Sequence, residues 1–293
     1  MPNSADFSGL WIALITPFRG DAVDHPALAR LVKHYAAAGV NGFVACGSTG
    51  EAAALDKTEQ LAVLDTVLKA ADALPVVMGL SGYHMGQTLA WYKELALRPV
   101  AGLLVSAPHY VRPAQAGLVQ WFTALADASD KPLLIYDIPY RTGVTMTLET
   151  LLTLAAHPNI QAIKDCGGDA GKTQALVADG RLRVLTGEDA QIFNTLAMGG
   201  AGAISACAHL CTAQFVQVIR CLQNGDLPGA RTLWQPLVPV VTAAFAEPNP
   251  ALIKAALAQQ GLVQGGLRLP MTGASASGAQ HLQALLDGLS TRQ

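Results

Sequence analysis

Short apolar runs alternate with stretches of helical spacing from Leu10 to about Thr212. Leu10–Thr16 (LWIALIT) is the first run, closed by Pro17. A helix follows it, with Asp24 as N-cap, Pro26 in its first turn, and Leu28, Leu31, Val32 and Tyr35 on one face up to Gly39. Gly42–Cys46 is the second run and feeds the loop Gly47–Ser48–Thr49–Gly50–Glu51; the helix Asp56–Ala71 comes next. Pro75–Leu80, Gly102–Ser106 and Pro132–Ile138 are the third to fifth runs, separated by helices around Gln87–Leu97 and Leu118–Ala128. A helix near Leu148–Ala156 leads to the sixth run, Ile160–Cys166, and one near Thr173–Ala178 to the seventh, Arg183–Thr186. A helix through Met198 leads to the eighth run, Ala203–Ala206. Beyond Thr212 the pattern is helical, with loops at Asn224–Pro228, Glu247–Pro250 and Gly265–Ala276, and Gly273–Gly278 reads as a surface loop.

Runs that are apolar on both faces, separated by helices, predict parallel strands joined by crossovers. Eight such units, starting 20 to 33 residues apart, predict an α/β fold, a (β/α)8 barrel with a C-terminal helical extension. The division expected is 1–224 for the barrel and 225–293 for the helical region. A doubly wound open sheet would carry a glycine-rich dinucleotide turn after its first strand, and Pro17–Phe18–Arg19 stands there instead.

Composition narrows the function classes. With 51% hydrophobic residues, 14% charged and a formal net charge of −2, the chain has ample material for a core. It has no electrostatic footprint for nucleic acid or an anionic membrane surface. No run is long enough to span a bilayer, and MPNSADFSGL lacks the basic and apolar regions of a signal peptide. Five cysteines without a CxxC pair predict reduced thiols and a cytoplasmic protein. Cys207 and Cys211 have no matching ligand pair for zinc. Neither HExxH nor GxSxG is present, and Gly167–Thr173 misses the P-loop spacing by one residue. No metal and no cofactor is expected.

Lys164 is the anomaly in this pattern. Of the eight lysines, Lys33, Lys57, Lys69, Lys93, Lys172 and Lys254 read as occupants of polar helix faces, and Lys131 sits in a turn; only Lys164 interrupts an apolar strand. One reading is a lysine paired with a carboxylate or snorkelling at a strand end. The other is an amine that attacks a carbonyl to form a Schiff base. A barrel places its reactive groups at strand C-terminal ends, which here carry Ser48, Thr49, Tyr110, Tyr136, Arg141, Lys164 and Glu188. An amine, several hydroxyls, a guanidinium and a carboxylate suit carbonyl chemistry. Read singly, Tyr136 is equally a core filler, Ser48–Thr49 a turn, and Arg141 half of a surface ion pair.

Together, GSTGE (Gly47–Glu51), Tyr110 in PHYVRP, Tyr136 in IYDIPYRTG and Lys164 in AIKD resemble the dihydrodipicolinate synthase / N-acetylneuraminate lyase family. LTGEDA, GAIS, EPNP and LRLPMT extend the resemblance over nearly the whole chain. The resemblance implies a pyruvate-dependent class I aldolase on a (β/α)8 barrel. Lys164 would form the Schiff base, and Ser48, Thr49 and the main chain of Ile204 would line the pyruvate site. Tyr136 would donate and accept protons, relayed through Ser48 to Tyr110 of the neighbouring subunit. That implies a homodimer, usually paired into a homotetramer. Arg141 would hold the carboxylate of L-aspartate 4-semialdehyde, giving 4-hydroxytetrahydrodipicolinate in lysine biosynthesis. A keto-deoxy sugar-acid aldolase or dehydratase of the same family, and a catalytically silent 2-oxo-acid-binding barrel, are the alternatives.

Three residues depart from the family pattern. Ser48 replaces the usual threonine, Asp137 replaces an asparagine, and Tyr140 replaces a small residue beside Arg141. The positions that bind the effector in lysine-inhibited members are here Lys57, Gln60, Tyr83, Gln87 and His109. The effector-binding glutamate is missing among them, which implies little or no feedback by L-lysine.

Overall fold

Eight parallel strands close on themselves: β1 (Gly9–Ala13), β2 (Gly42–Ala45), β3 (Val76–Leu80), β4 (Gly102–Ser106), β5 (Leu133–Asp137), β6 (Ile160–Asp165), β7 (Arg183–Thr186) and β8 (Gly202–Ser205). The structure is a computed structural model and describes residues 6–290, so the first residues of the N-terminal stretch read above for a leader lie outside it. Closure runs through β1, which pairs with β8 at Trp11↔Ile204 and with β2 at Trp11↔Gly42. The predicted (β/α)8 barrel is the fold observed.

Helices fill the crossovers: α1 (His25–Ala37), α2 (Lys57–Ala71), α3 (Met85–Ala96), α4 (Gln115–Ala126), α5 (Leu148–Leu154), α6 (Ala170–Asp179), α7 (Ile192–Ala197) and α8 (Thr212–Gln223). Their starts are written in side chains. Asp24 accepts from the Ala27 N–H ahead of α1, and Asp56 forms a capping box with Glu59 ahead of α2. After α8 come α9 (Leu227–Trp234), α10 (Val238–Ala244), α11 (Ala251–Gln259) and α12 (Ala276–Ser290). Among the described residues, no helix is long and apolar enough to cross a membrane, and all five cysteines are free.

Two apolar layers follow from the period-two geometry of the strands. One set of alternating residues, including Trp11, Val44, Val77, Leu104, Leu134, Ala162, Leu185 and Ile204, fills the barrel interior. The opposite set, including Ile12, Phe43, Met78, Leu103, Ile135, Ile163 and Val184, packs under the helices. Both faces are therefore dry, which is why the strands read as unbroken apolar runs.

The structure corrects several details. The first strand ends at Ala13, because the Ile15 N–H turns away to His209 Nε2 at 3.3 Å. A hairpin, Phe18–Arg19 with Ala22–Val23, precedes α1; strands of two residues are too short for an alternation pattern to register. Residues Ala276–Gly278, read as loop, are the first turn of α12, and the Gly278 N–H donates to Ser275 Oγ at 3.0 Å.

The largest correction concerns charge. Lys172 and Lys254 are not on polar faces; both are buried. Lys254, on α11, is fully buried and donates to Glu51 Oε1 at 2.6 Å, while the Arg268 N–H reaches Glu51 Oε2 at 3.2 Å. Both cations lie over the Phe18 ring, at 4.2 and 4.6 Å from its centroid. Burial holds the Lys254 ammonium below its usual range, opposed by the Glu51 carboxylate. Removing one member of such a pair strands the other charge. Lys254→Met is therefore expected to cost about 3–5 kcal/mol, read as a lowered urea midpoint. The Glu51→Gln/Lys254→Met double variant should recover most of that loss, and a double variant no more stable than the single one would show that the pair is not the cause.

Candidate active site

The inward face of β5 continues Leu134–Tyr136–Ile138, and that of β6 continues Ala162–Lys164–Cys166. Lys164 thus falls on the interior face at the C-terminal end of its strand, where a lysine replaces the expected apolar residue. The β5–β6 register sets Tyr136 directly beside it. Lys164 Nζ donates to Tyr136 Oη at 3.4 Å and lies 4.4 Å from the Tyr136 ring centroid. Both side chains are nearly dry, with Lys164 6% and Tyr136 8% exposed. Burial pushes the Tyr136 phenol well above its usual range, with the neighbouring Cys166 thiol adding to the shift and the Ser48 hydrogen bond opposing it. At neutral pH Tyr136 is a hydroxyl, able to give a proton before it takes one.

Ser48 completes a row, its Oγ 3.4 Å from Tyr136 Oη. The Gly47–Glu51 loop is a tight turn, closed by the Gly50 N–H to Gly47 O at 3.0 Å and fastened to Thr16, whose hydroxyl donates to Gly50 O at 2.7 Å. Thr49 Oγ1 accepts from Asn249 Nδ2 at 2.9 Å. Among the described residues none accepts from the backbone N–H of Ser48 or Thr49. Two free N–H groups in a glycine-flanked turn make a cradle for a small anion.

Gly187, just past β7, shapes the floor. Its N–H donates to Asp165 O at 2.8 Å. A Cβ there would lie 2.4 Å from both Lys164 Cε and Cys166 Sγ, so only hydrogen fits against the lysine stem. Asp189 fastens the end of β8 beside Ile204: it accepts from the Ser205 hydroxyl and from the Cys207 N–H at 2.9 Å. Burial raises the Asp189 carboxyl, and those donors oppose the rise.

These groups surround one cavity of about 450 Å³. Lys164, Tyr136, Ser48, Thr49, Ile204 and Arg141 all line it, as does Glu188. Tyr110 does not: it is 86% exposed, outside the mouth, with its ring 6.5 Å from that of Tyr83. Tyr140 stands at the rim with the Arg141 guanidinium 5.7 Å from its ring centroid. A second cavity of about 330 Å³ adjoins the first behind Tyr136 and Ser48, and His109 lines it.

Sequence reasoning missed the far wall, which Phe245, Glu247 and Asn249 build from the segment between α10 and α11. Glu247 is fixed by Ser275, which donates from Oγ at 2.5 Å and from N–H at 3.0 Å. The proline-bounded EPNP was the available signal, because two prolines so close mark a shaped segment rather than a plain helix break. Among the described residues no group of three His, Cys, Asp or Glu is arranged to hold a metal ion. The arrangement suits a small 2-oxo acid: an anion cradle, an amine beside it, and a hydroxyl positioned to exchange protons.

Comparison with known proteins finds relatives over nearly the whole chain. The family model described as the Dihydrodipicolinate synthetase family matches residues 6–289. The 4-hydroxy-tetrahydrodipicolinate synthase of Limosilactobacillus fermentum is 39% identical over 282 residues, 94% of this chain and 90% of the relative. Among solved structures, the chloride-inhibited dihydrodipicolinate synthase of Acinetobacter baumannii, complexed with pyruvate, superposes with a TM-score of 0.94 at 30% identity, covering 97% of this chain and 99% of the other. The enzyme of Cyanidioschyzon merolae with lysine bound gives 0.93 at 30% identity, covering 97% and 98%.

The fit at Gly187 can be tested directly. Gly187→Ala is expected to leave the fold intact and slow the capture of a small 2-oxo acid by Lys164 about 100-fold, because the added methyl must push the lysine stem aside. Capture is read by borohydride reduction and mass spectrometry, and a wild-type rate would show that the stem tolerates the contact.

Proposed function

The chain belongs to the dihydrodipicolinate synthetase family, and on that premise we propose that it is a lyase that condenses pyruvate with L-aspartate 4-semialdehyde through a Schiff base on Lys164. The product is 4-hydroxytetrahydrodipicolinate, on the route to lysine. The observation that carries this reading is the row Lys164–Tyr136–Ser48, with 3.4 Å at each step, inside the cavity that Arg141 also lines.

Each residue has a task that its surroundings suit. The free N–H groups of Ser48 and Thr49 hold the pyruvate carboxylate, which brings C2 to the Lys164 amine. Attack gives a carbinolamine, and loss of water gives the imine. Tyr136 supplies the proton that leaves with the hydroxide, and Ser48 passes protons toward Tyr110. Loss of a proton from C3 then gives the enamine, which forms the carbon–carbon bond to the aldehyde while the aldehyde oxygen takes up a proton. Attack of the substrate's own amine on the imine carbon closes the ring and releases Lys164. Arg141 reads the carboxylate of the second substrate, a match of planar fork to planar anion that lysine reproduces poorly.

Tyr110 joins the relay from a second copy of the chain. Its exposure in the single chain, beside Tyr83 and His109, supports a homodimer; the pairing of two such dimers into a tetramer is what the family resemblance implies. The charge balance and free cysteines support a cytoplasmic setting. The effector positions are occupied unfavourably for lysine: Lys57 places its ammonium 4.9 Å from the Trp91 ring centroid, and no carboxylate stands among the five residues.

Two outcomes are expected. Incubation with pyruvate and borohydride should leave a reduced pyruvyl adduct on Lys164, with none on the Lys164→Ala protein, and aspartate semialdehyde should be turned over where keto-deoxy sugar acids are not. An unmodified Lys164 sinks the Schiff-base reading; turnover of sugar acids alone sinks the choice of aldehyde. L-lysine at millimolar concentration should leave the rate unchanged, and inhibition below that range would overturn the reading of the effector positions.

A further inference from the structure

The ion pair Lys172–Asp137 has no part in the chemistry above, yet it lies one residue from it. Strand alternation sends Tyr136 and Lys164 into the mouth and turns the next residue of each strand, Asp137 and Asp165, outward under α6. The same register that sets Tyr136 beside Lys164 sets Asp137 beside Asp165. Lys172, in the first turn of α6, donates to Asp137 Oδ2 at 2.6 Å and to Met146 O at 3.2 Å, with side-chain exposures of 5% and 1% for the pair. Asp165 is held separately: the Thr173 hydroxyl donates to Oδ2 at 2.5 Å and the Gly167 N–H to Oδ1 at 2.9 Å.

No space is left around these groups. A Cβ on Gly167 would lie 2.6 Å from Lys172 Nζ, 2.8 Å from Asp137 Oδ2 and 3.1 Å from Asp165 Oδ1. One ammonium and two carboxylates therefore converge on a single Cα. Among the described residues Lys172 is the one cation bonded to that carboxylate, and the Met146 backbone N–H also favours its charged form. Two carboxylates side by side in a dry layer repel, and removing the ammonium leaves Asp137 to expel Asp165, admit water or move. Movement there reaches the mouth through the backbone, because the Cys166 N–H at the end of β6 donates to Asp137 O at 2.8 Å.

We propose that Lys172 is a positioning residue: by bridging Asp137 to the Met146 carbonyl it keeps the Asp137–Asp165 layer closed, and so holds the Tyr136 hydroxyl at the Lys164 amine. The inference rests on the Schiff-base reading of Lys164 and is independent of the aldehyde. Its test therefore uses pyruvate alone, following exchange of the C3 protons for deuterium, which reports imine and enamine formation.

Exchange is measured for wild type, Lys172→Met and Asp137→Asn/Lys172→Met, with every rate divided by the number of lysines that borohydride traps, so that misfolded protein drops out. Lys172→Met is expected to lower the maximal exchange rate per trapped site at least about tenfold, with KM for pyruvate within about twofold, because the carboxylate cradle belongs to a different strand. The double variant is expected to return to within about threefold of wild type, since a neutral amide needs no cation. Lys172→Gln, which keeps a donor toward Met146 and removes only the charge, serves the same comparison where the methionine variant does not fold. An unchanged rate per trapped site in the single variant overturns the role, as does a double variant as slow as the single one. A wild type that traps no pyruvate overturns the Schiff-base reading and this role with it.

Discussion

The contact between Lys164 and Tyr136 depends on one constraint, the register of β5 against β6. In a parallel pair a shift of one residue turns every side chain to the opposite face. Such a slip would bury Tyr136 or Lys164 under the helices and put an aspartate in the mouth. The register is held at two points beyond the ladder, Cys166 N–H to Asp137 O and Lys172 to Asp137, while Gly187 N–H to Asp165 O ties β6 to β7 on its other side. The rest of the site is arranged around that pairing. Gly187 leaves room for the lysine stem, Asp189 fastens the strand that carries Ile204, and the Gly47–Glu51 turn brings Ser48 to the phenol.

Three buried lysines show how differently one residue type is treated within a single chain. Lys172 and Lys254 each meet a carboxylate at 2.6 Å, and their ammonium groups are spent on holding backbone segments together. Lys164 meets a phenol and a ring face instead, neither of which carries a charge at neutral pH. An amine held by a carboxylate is a poor nucleophile, because the pair stabilises its protonated form. Among the described residues no carboxylate bonds Lys164, and the Tyr136 hydroxyl stands where the other two lysines have their anion.

The barrel was legible because both faces of its strands are dry, which leaves unbroken apolar runs, and because Asp24 and Asp56 mark helix starts chemically. Lys164 was legible for the same reason, as a charge inside such a run. Lys172 and Lys254 were not, since α6 and α11 are short helices in which one buried lysine hardly alters the spacing of apolar residues. Their partners, Asp137 and Glu51, are 35 and 203 residues away, a distance over which no local pattern can act. Phe245, Glu247 and Asn249 were hidden likewise, because they meet the mouth only after the C-terminal helices have packed.

That packing connects the two ends of the chain. The anion cradle at Ser48 and Thr49 is bonded to Asn249 through Thr49 and to α11 through Glu51 and Lys254, so the C-terminal helices set the shape of a loop that follows β2. An isolated turn with left-handed Glu51 at φ +53° has little reason to keep that form, because positive φ is strained for a residue with a Cβ. A fully buried ammonium seated on its carboxylate over-determines it. The helical extension is therefore part of the site's construction and not an appendage to the barrel.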